Sequence, residues 1–312
     1  MASPLLRIGT RGSPMALAQA HQVRDRLAAA HPELAGLGAL EIVVVRTTGD
    51  RVQDRPLAEI GGKGLFTKEI EEALLDRRVD LAVHAVKDVT TWLPRGLELA
   101  SFLPREDPRD AFVSAKAASF AELAAGSVIG TASLRRQAQI LHRWPRLKVV
   151  PLRGNVGTRL GKLAEGQIDA TVLGAAGLYR IGRGDAVRRI LPPEEMLPAV
   201  GQGTVGIEIR SDDERTRAWL APLDHAPTAS CITAERALLA ELAGSCRTPI
   251  AGLAEFAIDG RLRLRALVAM PDGSALHRAA QEGSPADAAR IGAEAGRTLK
   301  AMAGEAFFAA LA

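Results

Sequence analysis

The chain has 312 residues, 47% of them hydrophobic and 24% charged, which is enough for two or three domains with ample core and is ordinary for a globular protein. No segment approaches eighteen consecutive apolar residues and MASPLLRIGTRGSP has no basic-then-apolar leader, so neither a membrane span nor a secretory signal is expected and the chain reads as cytoplasmic. A formal net charge of +4 would suit a polyanionic partner, but 4% aromatic content and the lack of any dense Lys/Arg run argue against nucleic acid and favour small acidic ligands.

Leu5 to Thr10 predicts a strand, after which Ser13 and Pro14 supply N-cap and N1 signals for a helix with Ala16, Ala20, Val23 and Leu27 on one face. Leu40 to Val45 is a second apolar run, Thr67 is expected to cap a helix through Leu75, and Asp80 to Val86 reads as a third strand. This is a βαβαβ unit. Beyond Pro104, Asp107 and Pro108 the pattern restarts, with strands at Ala111 to Ser114, Val128 to Thr131, Lys148 to Leu152 and Ala170 to Leu173 between helices. Pro192, Pro193, Pro198 and Gly201 then lead into a β-rich segment, Thr204 to Arg210, that reads as a return to the first domain. Ligands of such folds lie beyond the strand ends.

The C-terminal part differs in kind. A helix beginning at Thr228 or Ser230 ends near Gly244, Ile250 to Ala257 and Leu262 to Met270 form a hairpin around Asp259 and Gly260, and Ser284 with Pro285 opens a final long helix. The expected architecture is α/β: a discontinuous first domain (1–104 and 200–222), a second α/β domain (105–199) and a smaller α+β third domain (227–312).

Thirty-three of the forty basic residues are arginine, and several occupy three Gly/Ser/Thr-rich segments: IGTRGS from Ile8, TASLRRQ from Thr131 and LRGNVGTRL from Leu152. Each reads as a strand end running into a helix start, where guanidinium groups and free backbone N–H groups together grip anions. A GC-rich genome accounts for a high arginine total, but not for three similar loops. GQGTVG, from Gly201 to Gly206, precedes a strand instead of joining a strand to a helix and so fails as a dinucleotide loop. GGKG, from Gly61 to Gly64, lacks the spacing of a phosphate-binding loop and reads as a mobile turn; the six histidines and two cysteines have no zinc spacing.

Cys231 opens the C-terminal helix and Cys246 follows its end, fifteen residues apart, or about 20 Å along a helix and beyond disulfide reach. Cys231 reads as a small apolar residue. Cys246, beside Arg247 in a turn closed by Pro249, reads either as a functional nucleophile or as a plain loop thiol. HAVKD, from His84 to Asp88, places an acid beside a lysine at a strand's C-terminal end, which fits a catalytic pair and a solvated ion pair equally well.

Taken together, RIGTRGSPMALAQA, GGKGLFTKE, AVHAVKD, REDPRDAFVS, TASLRRQ, LRGNVGTRL, PAVGQG and ALVAMPDGS resemble, in order and approximate spacing, the porphobilinogen deaminase (hydroxymethylbilane synthase) family. The resemblance covers nearly the whole chain. It implies two α/β domains of periplasmic-binding-protein-like (type II) topology and a third domain carrying a dipyrromethane cofactor in thioether linkage to Cys246. The implied reaction condenses four porphobilinogens through linear oligopyrrole intermediates, losing ammonia at each step, and releases hydroxymethylbilane by hydrolysis. A monomer without nucleic-acid or membrane partners is also implied, and no metal.

By the same resemblance Arg11, Arg135, Arg136, Arg153, Arg159 and Arg180 bind the acetate and propionate groups, with Ser13, Ser133 and Asn155 adding polar contacts. Asp88 balances the cations formed during condensation, Lys87 fixes its surroundings or contacts the cofactor, and Gln19 and Gln202 line the site. Gly61, Gly62, Lys63, Gly64 and Phe66 correspond to a flexible active-site loop. Ala85, Thr90, Ala132 and Ser245 depart from the residues common in the family, namely serine, proline, serine and glycine. The alternative class is a non-catalytic, two-lobed small-anion binding protein, which would need no covalent group on Cys246.

Overall fold

The computed structural model describes residues 4–51, 64–244 and 248–311. In chain order its strands are β1 (Leu6–Thr10), β2 (Leu40–Val44), β3 (Leu81–Ala85), β4 (Leu97–Phe102), β5 (Asp110–Val113), β6 (Val128–Gly130), β7 (Lys148–Val150), β8 (Ala170–Gly174), β9 (Arg189–Ile190), β10 (Val205–Arg210), β11 (Ile250–Phe256), β12 (Leu262–Ala269) and β13 (Leu276–Gly283). The helices are α1 (Pro14–Ala30), α2 (Thr48–Arg51), α3 (Lys68–Leu75), α4 (Leu134–Arg143), α5 (Val156–Ala164), α6 (Ala175–Arg180), α7 (Glu214–Leu220), α8 (Ala226–Glu241), α9 (Ala288–Ala303) and α10 (Glu305–Ala309). None of them is long and apolar enough to cross a membrane.

The described residues up to Glu106, together with Thr204–Ala229, form one compact unit, and Asp107–Gly203 with the residues from Ser230 onward form the other. In the first unit the sheet order is β2-β1-β3-β10-β4, with β2, β1 and β3 parallel and β10 antiparallel to both neighbours. In the second it is β7-β6-β8-β5-β9, again with three parallel strands followed by one antiparallel strand, β5, paired to both neighbours. The two sheets therefore repeat one strand order. In the first sheet the antiparallel strand β10 enters after a long excursion of the chain, whereas in the second β5 is the first strand in chain order.

Burial on both faces dictates the strand sequences, because a sheet covered on two sides needs near-continuous apolar runs. Leu81 and Val83 of β3 and Ile207 and Ile209 of β10 pack with Ala20, Val23 and Leu27 of α1. Ala82, between them, packs with Ile70, Ala73 and Leu74 of α3 on the other face. In the second unit Phe112, Ile129 and Val172 pack with Ile140 of α4, and Ala111, Val113 and Leu173 with Leu160 of α5 and Leu178 of α6.

The third sheet, β11-β12-β13, is antiparallel. Leu262, Leu264, Ala266 and Val268 face α8 and α9 through Leu238, Ile291, Ala295 and Leu299. Leu267 and Ala269 face the other way, joining Ala251 and Leu253 against Ala138 of α4 and Leu197. Gln137 Nε2 donates to the Pro271 carbonyl at 3.0 Å, so α4 is fixed to this sheet by polar as well as apolar contact.

The structure differs from the sequence reading at several elements. β4 follows Gly96, whose φ is +90°, and its mixed sequence LELASF hides a strand that is paired only on one side, to β10. β13 was not expected either: LHRAAQEG is an exposed edge strand with few β-branched or aromatic residues. Thr67 precedes α3, but its side chain makes no capping hydrogen bond. α8 begins at Ala226, earlier than Thr228 or Ser230 suggested, and Ser284–Pro285 opens a short 3₁₀ turn before α9 rather than α9 itself.

Candidate functional site

All three arginine-bearing loops run from the C-terminal end of a parallel strand into a capped helix. Ser13 Oγ accepts from the Ala16 N–H at 3.3 Å after β1, Ser133 Oγ from Arg136 N–H at 3.4 Å after β6, and Asn155 Oδ1 from Thr158 N–H at 2.9 Å after β7. These three residues cap α1, α4 and α5, and each leaves further N–H groups at a positive helix end suited to anions. Gly154, with φ +108°, lets the chain turn between Arg153 and Asn155, and a Cβ there would stand 2.7 Å from Thr158 Cγ2.

In the first unit Arg11 is half-buried at the end of β1, its guanidinium 4.1 Å from the centroid of the Phe66 ring, within cation–π range. Gln19 is buried in α1. Gly64 and Phe66 are described, whereas Gly61, Gly62 and Lys63 lie outside the described residues. β3 stops at Ala85, one residue before the strand end read from the sequence, and tightens into a 3₁₀ turn, Val86–Asp88. The turn leaves Lys87 exposed and Asp88 half-buried.

Two close contacts fix that turn. Val86 N–H donates to the Thr204 carbonyl at 3.0 Å, and a methyl group at Gly206 of β10 would lie 2.8 Å from Val86 Cγ2. Thr90, standing where the family commonly has proline, donates Oγ1–H to the Trp92 carbonyl at 2.8 Å and so closes the following turn with a side chain.

Beneath Asp88, on the α3 side of the sheet, His84 Nε2 lies 2.9 Å from Glu208 Oε2, both side chains being buried. Glu71 of α3 is buried nearby, and burial first, then the neighbouring Glu208, pushes its pKa up against the pull of Thr67 and His84. Sequence reasoning singled out His84 but missed Glu71 and Glu208. The available signal was in β10, where Glu208 and Arg210 alternate with isoleucines on a strand that has to be covered on both faces.

In the second unit the arginine pair converges on a carboxylate that sequence reasoning also missed. Asp110 of β5 is 0% exposed, and Arg135 and Arg136 are 5% and 6% exposed. Arg135 Nη1 donates to Asp110 Oδ2 at 2.8 Å and to the Leu197 carbonyl at 2.7 Å, while Arg136 Nη2 donates to Asp110 Oδ1 at 2.8 Å. Gln202 Nε2 adds a contact to Oδ1 at 2.8 Å and one to the Pro108 carbonyl at 2.7 Å. Burial alone would raise the Asp110 pKa; the two guanidinium groups, Arg135 foremost, override it and hold the carboxyl well below the usual range. Two cations on one anion leave a surplus of one positive charge, and neither arginine Nε–H finds an acceptor among the described residues.

Two of the remaining arginines flank the start of α5, and the third ends α6. Arg153 is half-buried between β7 and α5, Arg159 Nε donates back to the Gly154 carbonyl at 2.9 Å, and Arg180 is half-buried as the last residue of α6 after β8. Cys231 is buried in the core of the third sheet. Cys246 lies outside the described residues.

Residues 6–218 match the family model "Porphobilinogen deaminase, dipyromethane cofactor binding domain", and residues 229–301 match "Porphobilinogen deaminase, C-terminal domain". The chain is 54% identical to the chloroplastic porphobilinogen deaminase of Oryza sativa over 98% of its own length and 86% of that protein's. It is 55% identical to porphobilinogen deaminase of Paracoccus denitrificans over 97% of its length and 96% of the relative's. Among solved structures, a periplasmic substrate-binding protein of an ABC transporter from Coxiella burnetii is 14% identical with a TM-score of 0.43, covering 70% of this chain and 91% of that one.

The buried Glu71 yields a prediction about pH. A carboxyl whose folded pKa is raised binds its proton more tightly in the native state, so its contribution to stability falls as pH rises above the unfolded value of about 4.3. Glu71→Gln removes that penalty. Urea unfolding at a series of pH values is expected to show the variant gaining stability relative to the parent from pH 4 upward, with no gain at the acid end; a constant offset would contradict the assignment.

Proposed function

The chain belongs to the porphobilinogen deaminase family, and from that premise we propose that it condenses four porphobilinogens on a dipyrromethane primer, releasing four ammonias, and frees hydroxymethylbilane by hydrolysis. It is accordingly a transferase of tetrapyrrole biosynthesis. The observation that carries this reading is the match of both family domains together with relatives sharing more than half of its residues along almost its whole length. A non-catalytic anion receptor is not favoured by that match.

The described residues fit a dipyrromethane, whose rings carry carboxylates. The Arg135–Arg136–Asp110 cluster keeps one positive charge in excess and two buried Nε–H groups without acceptors among the described residues. An unmatched buried donor is costly, and a carboxylate is the natural acceptor. When bound, the cofactor supplies the pyrrole carbon that attacks the first substrate. In our reading Arg11, Arg135, Arg136, Arg153, Arg159 and Arg180 offset its carboxylates and those of the chain, each contact contributing about 1.5–3 kcal/mol. Ser13, Ser133 and Asn155 hold the helix ends beside them, Gln19 and Gln202 support the lining from beneath, and the loop through Phe66 excludes water.

Asp88 is assigned the electrostatic role. Loss of ammonia from porphobilinogen leaves a cationic azafulvene, and carbon–carbon bond formation gives a second cation that must shed its α-proton. A carboxylate can stabilise both and receive the proton. The half-buried position of Asp88, on a turn held by β3 and Thr204, supports this: it is accessible to substrate yet fixed in place. Lys87, in the same turn, orients it or meets the cofactor. We assign Cys246 the thioether, because a thiolate attacks a soft electrophilic carbon readily and the resulting C–S bond resists hydrolysis. The third sheet with α8, α9 and α10 would then be the cofactor-carrying domain. We further propose a monomer acting in the cytoplasm.

Asp88→Asn keeps the shape but not the charge, and turnover of porphobilinogen is expected to fall by at least about a hundredfold, as for other lost transition-state charge stabilisation. Near-parental steady-state turnover would remove Asp88 from the mechanism. Cys246→Ser is expected to give a folded chain with little activity, whereas Cys231→Ala should keep both cofactor and turnover; the reverse pattern would move the attachment point to α8.

A further inference from the structure

Arg135 and Arg136 are consecutive residues of one helix. At 3.6 residues per turn, neighbours leave the axis about 100° apart and do not face each other. Yet both guanidinium groups end on the two oxygens of a single carboxylate, 2.8 Å from each. Nothing in the helix imposes that convergence; Asp110 does. Its backbone is locked in the β5–β8 ladder opposite Gly174, and its carbonyl accepts from Leu191 N–H at 2.8 Å, so its carboxylate is a fixed point.

A second layer steadies it. Gln202 bridges Asp110 Oδ1 and the Pro108 carbonyl. The turn that carries Gln202 is pinned by Glu235 of α8, whose Oε2 accepts from Gly201 N–H at 2.7 Å and whose Oε1 accepts from Ala254 N–H of β11 at 2.8 Å. The connection between α8 and β11 contains Cys246. The helix and strand flanking the cysteine are therefore tied, through one buried glutamate and one glutamine, to the carboxylate that aligns the arginines.

We propose that Asp110 is a positioning residue: it turns Arg135 and Arg136 side by side, leaves one positive charge unbalanced, and so shapes the pair to receive a single ligand carboxylate. The proposal rests on the reading that these arginines bind carboxylates of the dipyrromethane or the substrate. Asp110 itself touches neither. Because it acts through the arginines, its loss adds nothing once an arginine of the pair is gone.

The test is a double-mutant cycle on full-length apoprotein with Asp110→Asn, Arg136→Leu and the two combined. Purified chains are incubated with porphobilinogen, the rate of covalent adduct formation is followed by intact mass, and the folded fraction of each variant is checked by circular dichroism. Each single variant is expected to form adduct about tenfold or more slowly, and the double variant to match Arg136→Leu within about threefold, the mark of coupled residues. Multiplying effects would show that Asp110 serves the fold generally, and parental rates in Asp110→Asn would show that the pair needs no alignment; either overturns the proposal while the carboxylate reading stands. Parental rates in Arg136→Leu would instead overturn the carboxylate reading, and the positioning role with it. If Asp110→Asn does not fold, Gln202→Leu takes its place in the cycle. It removes only the outer donor to Oδ1, so a smaller slowing that again disappears beside Arg136→Leu supports the proposal, and no slowing or a multiplying effect overturns it.

Discussion

A carboxylate with no solvent exposure, shared between two buried guanidinium groups, is the interaction on which the second unit most depends. Taking three charges out of water is costly, and removing the carboxylate would leave two buried guanidinium groups uncompensated at about 3–5 kcal/mol, a large part of the 5–15 kcal/mol that holds a typical domain together. The cluster joins β5 to α4 and reaches the segment before β10. There Gln139 clasps Leu197 twice, its Oε1 accepting from the N–H at 2.8 Å and its Nε2 donating to the carbonyl at 3.0 Å. The surplus positive charge follows from the two-to-one stoichiometry.

The acids of the protein divide by environment. Asp110, Glu71 and Glu208 are buried within the fold, the first held by two arginines and the last against His84, whereas Asp88 is half-exposed on a turn of three residues. Its support comes from below: the His84–Glu208 contact joins β3 to β10, and Gly206 allows Val86 to approach where any side chain would push the turn outward. The end of β3 and the turn that carries Asp88 are thus consecutive parts of the same pentapeptide, HAVKD.

Much of this was legible in the sequence where one force dominated. β1, the Ser13 cap and the buried stripe of α1 follow from periodicity and capping chemistry, and the three arginine loops declared their strand-to-helix setting through Ser13, Ser133 and Asn155. The return of β10 could be read from the proline and glycine cluster before it, but its place between β3 and β4 could not, because β4 carries too weak a pattern. β13 was hidden for the same reason. The arginines were legible as a candidate anion site, while the internal partner of Arg135 and Arg136 escaped notice. Asp110 sits in REDPRDAFVS among other charges, and only tertiary packing separates it from the exposed Asp107–Arg109 pair nearby. Local sequence gives the charge of a residue; burial, which assigns its role, comes from elements distant in the chain.

On the proposed function, this chain builds its own primer and retains it on the sulfur of Cys246. The most direct measurement is the intact mass of purified apoprotein after incubation with porphobilinogen, followed by peptide mapping. The expected result is a gain of two substrate units less two ammonias, located on the peptide that contains Cys246. A chain that folds and takes up porphobilinogen but gains no mass, or gains it on a peptide lacking Cys246, would contradict it.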